Sequence, residues 1–150
     1  MAKLIIPKVL VDWVVVVVED DPDSLAVARR MLEKAGATVY VAENGHEGLV
    51  LIRQQNPRFV LSDISMPMMD GWQLIKELNN DRRTSNIPVI ALTAYAMSGD
   101  REKALEAGFV NYITKPLDPL KFTMHLLSLL VEIPDFAAQL QPHYDKLLNA

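Results

Sequence analysis

The chain has 150 residues, half of them hydrophobic and 23% charged, with a net charge of −4 and no cysteine. That size suits one domain with a proper core. The acidic balance argues against a nucleic-acid surface, the missing cysteine excludes disulfides, thiol catalysis and thiolate metal sites, and no apolar run reaches the about 18 residues of a membrane span.

The opening, "MAKLIIPKVLVDW", has a short apolar run broken by Pro7 and lacks the long core and cleavage site of a signal peptide. A cytoplasmic protein is expected. Residues 13–18, "WVVVVV", form a continuous β-branched run, as in a strand covered on both faces. Asp21 then stands at an N-cap with Pro22 at the first helical position, and the helix should end at Gly36. A second strand is expected at 38–42. Asn44 caps the next helix, with Glu47 spaced for a capping box, and that helix ends near Gln55. The third strand, "RFVLSD", covers 58–63, and "ISMPMMDG" leads into a helix at 71–80. Its methionines are expected to pack, and Trp13 and Trp72 likewise. A fourth strand at 86–94, a helix at 98–108, a fifth strand at 109–114 and a helix at 117–132 complete the pattern.

Five successive strand–helix units predict an α/β fold, a doubly wound parallel sheet with helices on both faces. Residues 13–132 form the predicted domain, preceded by an extension at 1–12 and followed by a tail at 133–150. The tail carries Phe136, Leu140, Tyr144, Leu147 and Leu148 at helical spacing. This stripe is expected to dock on the domain, with Pro142 interrupting or kinking it.

Ligands of such sheets bind beyond the carboxyl ends of the strands, where strand order reverses. Glu19 and Asp20 fall at the end of the first strand and Asp63 at the end of the third. These ends are neighbours at the switch point, so three carboxylates converge. Like charges that close repel, and oxygen donors in that arrangement suit a hard cation such as Mg²⁺. Thr93 ends the fourth strand and Lys115 the fifth. Cation, hydroxyl and ammonium around a carboxylate make a site for an anionic group, phosphoryl above all. The histidines His46, His125 and His143 show no metal-ligand spacing. Each residue alone has a plainer use: acids cap a helix, a threonine fills a strand, a lysine is solvated.

The segments "VVVVVEDDPDS", "LSDISMPMMDGW", "IALTAYA" and "YITKPL" together resemble the receiver domain of two-component response regulators. The intervals agree: Asp63 lies 43 residues after Asp20, Thr93 30 after Asp63, and Lys115 52 after Asp63. The resemblance spans about residues 12–132. It implies a flavodoxin-like sheet of order 2-1-3-4-5. It implies that Asp63 accepts a phosphoryl group from a sensor histidine kinase or phosphotransfer protein. Asp20 would bind Mg²⁺ directly, Glu19 through water, and Asp63 and the Ser65 carbonyl would complete the protein ligands. Lys115 would pair with a phosphoryl oxygen, and its bond to Pro116 is a candidate cis peptide. Thr93 would donate its hydroxyl, beside the Ala94 amide, and Tyr112 would be the aromatic switch. Ser65 and Tyr95 would flank the path of attacking water. The output would run through the face of the fourth helix, fifth strand and fifth helix, to a downstream protein. That face also allows a homodimer.

The acid pair could be Glu19-Asp20 or Asp20-Asp21. Asp21 before Pro22 serves better as an N-cap, which favours the first choice. Only 18 residues follow position 132, too few for an output domain, so a stand-alone signalling module is expected and an enzyme is not. Two other readings compete. A haloacid-dehalogenase-type phosphatase places a second aspartate two residues after its nucleophile, where this chain has Ser65. A receiver-like scaffold without phosphorylation would not need the full set of acids, Thr93 and Lys115. A flavodoxin would need a hydroxyl- and glycine-rich loop where this chain has acids.

Overall fold

A computed structural model of the protein describes residues 7–94 and 100–149. Eleven elements run in chain order: β1 (Val14–Val18), α1 (Pro22–Lys34), β2 (Thr38–Ala42), α2 (Gly45–Gln55), β3 (Phe59–Asp63), α3 (Gly71–Asn79), β4 (Val89–Thr93), α4 (Asp100–Ala107), β5 (Asn111–Thr114), α5 (Pro119–Leu130) and α6 (Pro134–Leu148). All strand pairs are parallel, in the order β2-β1-β3-β4-β5. This is the expected α/β sheet.

The local signals explain where the helices start. Asp21 caps α1 by accepting from the Ser24 amide, with Pro22 at the first turn. Asn44 caps α2 by accepting from the Glu47 amide at 3.0 Å. The expected capping box is not closed there, because the Glu47 carboxylate accepts from the Glu43 amide, one residue upstream. A full box forms instead at α3, between Asp70 and Gln73. Gly36, at φ 100°, ends the turn after α1 in a conformation that side chains disfavour.

The strands are shorter than expected for reasons visible in the ladder. Pro88 accepts from the Val60 amide but has no N–H to return, so β4 begins at Val89. Phe109 donates to Ala104 at the end of α4, so β5 cannot start at 109. Residues 98 and 99 of the expected fourth helix, and Tyr95, lie outside the described residues.

Two apolar layers flank the sheet. Val15, Val17, Phe59, Leu61, Ile90 and Leu92 face α1, α5 and α6. Val16, Val18, Val60, Val89 and Ala91 face α2, α3 and α4. This is why β1 can be valine throughout: alternate side chains enter opposite cores, and Val15 to Val18 are fully buried. Trp72 packs edge-on against Phe109, with ring centroids 5.8 Å apart.

The tail folds as α6 and docks, with Phe136 and Leu140 buried in the first core and Tyr144 and Leu147 packed against it. Leu148 stays exposed. The helix is continuous through Pro142, so of the two expected outcomes, interruption or kink, the interruption does not occur. Proline leaves the carbonyl four residues back without its helical donor. That residue is Ala138, which is exposed, so water can serve it.

Candidate functional site at the carboxyl end of the sheet

The register brings the distant acids together. Val18 pairs with Ser62 across β1 and β3, which sets Glu19 level with Asp63. The Glu19 amide donates to the Ala42 carbonyl, extending the ladder one residue past β1. Glu19 is therefore held like a strand residue, fully buried, while Asp20 is exposed at the turn. Glu19, Asp20 and Asp63 each offer an oxygen within 4.8 Å of the others. Such a set of hard oxygen donors fits a divalent cation of the Mg²⁺ type.

Lys115 closes the other side. Its Nζ donates to Glu19 Oε1 at 2.8 Å and lies 3.2 Å from Asp63 Oδ2. The preceding strand positions it: the Lys115 amide donates to the Thr93 carbonyl at 2.7 Å, and the bond to Pro116 is cis, as the resemblance implied. Thr93 is 7% exposed and ends β4 opposite Thr114. The Ser65 amide donates to Asp63 Oδ1 at 3.2 Å. Both oxygens of Asp63 are thus held. Tyr112 is half-buried on β5 and lines a cavity of about 310 Å³ with Arg101, Asn111, Thr114 and His125.

The electrostatics follow from burial. Desolvation pushes the Glu19 carboxyl up to about 7, and a hydrogen bond shared with Asp63 adds to it, against the pull of Lys115. Burial draws the Lys115 ammonium down, but Glu19 and Asp63 outweigh it and leave the group above its ordinary value. Asp21 moves the other way. Its carboxyl is lowered by the hydroxyl and amide of Ser24, which is the signature of a cap. The cluster is therefore Glu19-Asp20 with Asp63, and Asp21 serves the helix while its amide donates to Glu19 Oε2.

The direct Glu19–Lys115 pair was not expected, since the lysine was to wait for an anion. Gly71, at the end of the "ISMPMMDG" segment, has its place fixed by crowding: a Cβ there would lie against the Asp63 carbonyl and 2.8 Å from Ile64 Cα. The Gly71 amide also donates to the Ile64 carbonyl, tying the start of α3 to the end of β3. Gly71→Ala is expected to cost about 1–3 kcal/mol through this overlap. Urea unfolding checks it; an unchanged midpoint would mean the loop yields freely.

The methionines of the β3–α3 loop divide. Met66 and Met69 pack against the core, as expected. Met68 does not; it is 76% exposed and its backbone has φ 67°. The left-handed turn aims it out of the core, at a cost of roughly 1–2 kcal/mol for a residue with a Cβ.

Comparison with known proteins bears on this geometry. The family model described as the response regulator receiver domain matches residues 15–126. Protein PilH of Pseudomonas aeruginosa is 40% identical over 104 residues, covering 69% of this chain and 86% of PilH. The polar-differentiation response regulator DivK of Brucella anthropi is 36% identical over 116 residues, covering 77% of this chain and 94% of DivK. Among solved structures, the receiver domain of sensor histidine kinase PA1611 from P. aeruginosa is 30% identical with a TM-score of 0.69, over 77% of this chain and 95% of that one. That structure has a magnesium ion coordinated in its active-site cleft. No helix among the described residues is long and apolar enough to cross a membrane. With family model, relatives and fold in agreement, this chain belongs to the response regulator receiver domain family.

Proposed function

We propose that Asp63 accepts a phosphoryl group from a phosphohistidine on a sensor kinase or phosphotransfer protein, and that the chain then signals through a protein contact. The observation that carries this reading is the buried convergence of Glu19, Asp63 and Lys115, with Asp20 at its edge. A carboxylate oxygen of Asp63 attacks phosphorus. The bond from phosphorus to the donor imidazole breaks, and its electron pair stays on the imidazole. The product is an acyl phosphate.

Each neighbour has a share in that step. Lys115, already 3.2 Å from Asp63, sits where it can pair with an arriving phosphoryl oxygen. Thr93 ends β4 beside it and would donate its hydroxyl, with the Ala94 amide next in line. Asp20, Asp63, the Ser65 carbonyl and, through water, Glu19 would hold Mg²⁺. When bound, the ion supplies charge neutralisation between carboxylate and phosphoryl oxygens. Tyr112 is the proposed switch, coupling Thr93 to the α4–β5–α5 face by a shift in population. Ser65 stands where a phosphatase of the dehalogenase type would place its acid, which favours a stable acceptor over turnover.

The test is direct. With Mg²⁺ and phosphoramidate as a small donor, the protein should gain one base-labile phosphate on Asp63, and Asp63→Asn should lose it entirely. Labelling elsewhere, or steady release of phosphate from unrelated monoesters, would overturn the proposal.

A further inference from the structure

Among the described residues, β2 is an edge strand, bonded to β1 and to no other strand. The Thr38 amide donates to the Trp13 carbonyl, and the Ala42 carbonyl accepts from the Glu19 amide. Successive residues of a strand point their backbone groups to opposite sides. Thr38, Tyr40 and Ala42 therefore serve β1, while Val39 and Val41 turn their amides and carbonyls outward. This outward row is closed at both ends. The Ala37 amide donates to the Leu32 carbonyl at 3.1 Å, and the Glu43 amide to Glu47 Oε2 at 3.2 Å. What stays open between them is the amide and the carbonyl of Val39 and of Val41.

Sheet edges are commonly blunted by charged side chains or proline. β2 reads TVYVA and has neither. At the opposite edge, β5, the Tyr112 amide is taken by Asn111 Oδ1 at 2.9 Å. The charges near β2 stand at its two approaches and differ in sign. Lys34 ends α1 four residues before the strand, and Glu43 follows the strand directly. Both are exposed, and no ion pair among the described residues uses either. Glu33, beside Lys34, is already paired with Arg29 at 2.8 Å. The edge is open on the α1 side, where Leu25, Ala26, Arg30 and Glu43 line a groove of about 460 Å³.

We propose that β2 pairs antiparallel with β2 of a second copy of this chain, about a two-fold axis, and joins the two sheets into one. The strand is self-complementary in one register. Val39 faces Val41 of the second copy and Val41 faces its Val39, so each open amide meets an open carbonyl. Tyr40 then faces Tyr40 on the axis. The same register sets Glu43 opposite Ala37 of the second copy, three residues after its Lys34, so opposite charges meet at both ends. Parallel pairing would set like charge against like. A foreign strand would need this spacing of open groups and charges, and a second copy has it by construction. β5 lies at the far edge of each sheet, so the α4–β5–α5 face stays clear in the pair. The contact is a different surface from that face and does not depend on phosphorylation of Asp63.

The chain has no cysteine, so one can be placed on the axis. Opposed residues of a non-hydrogen-bonded antiparallel pair have Cα atoms about 4.5 Å apart, within the range of a disulfide. Tyr40→Cys should therefore give a covalent dimer under mild oxidation, read on a non-reducing gel. Thr38→Cys should not, because its counterpart is Ala42 and the two copies of residue 38 lie more than about 13 Å apart. In sedimentation equilibrium the parent should pass from 16.8 kDa toward twice that mass as its concentration rises. Glu43→Lys should raise the dissociation constant roughly tenfold, and Lys34→Glu added to it should restore the parent value. Both positions are exposed, so folding is retained. A parent that stays at 16.8 kDa at every concentration would overturn the inference. So would a dimer that Tyr40→Cys does not cross-link or that Glu43→Lys leaves unchanged, since its contact would lie on another face. Equal cross-linking of Thr38→Cys and Tyr40→Cys, or a loss that Lys34→Glu does not restore, would refute the register.

Discussion

Replacing Phe136 with alanine should lower stability by about 3–5 kcal/mol, the usual cost of removing a buried ring. The ring of Phe136 lies 4.8 Å from that of Trp13 and 6.5 Å from that of Phe59, and Trp13 and Phe59 are themselves 6.0 Å apart. Arg58 closes the group, its guanidinium 4.2 Å from the Trp13 ring and 5.2 Å from that of Phe136. Trp13 leads into β1 and Phe59 starts β3, so this cluster seals the sheet at the end opposite the acids. The family match stops at residue 126, and α6 begins at Pro134. A helix outside the matched region thus covers core residues within it. Urea unfolding reads the loss, and Trp13 fluorescence in a Trp72→Phe background reads the uncovered indole. Leu148→Ala, at an exposed position, should stay within about 0.5 kcal/mol. A Phe136→Ala protein as stable as its parent would mean that α6 is not docked.

The second large effect is a dependence of stability on pH that Mg²⁺ should remove. The Glu19 carboxyl rises from an ordinary 4.5 to about 7 on folding. The folded chain therefore holds this proton more tightly than the unfolded one. The resulting stability is fully present below 4.5 and is lost as pH rises through about 7. Without metal, the contribution of Glu19 should fall by an amount on the order of 2 kcal/mol between pH 5 and pH 8. Bound Mg²⁺ would oppose the desolvation that raises this group, since a nearby dication favours the ionised carboxylate. Urea midpoints across that range, with chelator and with Mg²⁺, check the sign. Glu19→Gln should flatten the metal-free curve. A parent curve already flat in chelator would show that the buried acid is ionised without cost.

Different parts of this molecule were legible to different degrees. The helix starts were read correctly at Asp21-Pro22 and Asn44, because a cap and its first turn are contiguous. The length of β4 was overestimated because Pro88 contributes a carbonyl but no amide, and only a neighbouring strand makes that asymmetry count. Asp20, Asp63, Thr93 and Lys115 could be named together because each sits at the end of a strand, and parallel strands put their ends on one side. The packing of Met66 and Met69 was anticipated, but the exposure of Met68 between them was not. Apolarity suggested burial, and the left-handed turn decided otherwise.

The sequence by itself determined the order of strands and helices, the parallel sheet and the set of charged residues at its carboxyl end. Those follow from alternation, capping and length, which act between residues close in the chain. Tertiary structure alone decided that Glu19 is buried against Lys115, that Gly71 must lack a side chain and that Met68 turns out of the core. Each of these depends on which atoms from distant segments meet, and on how much water is left between them.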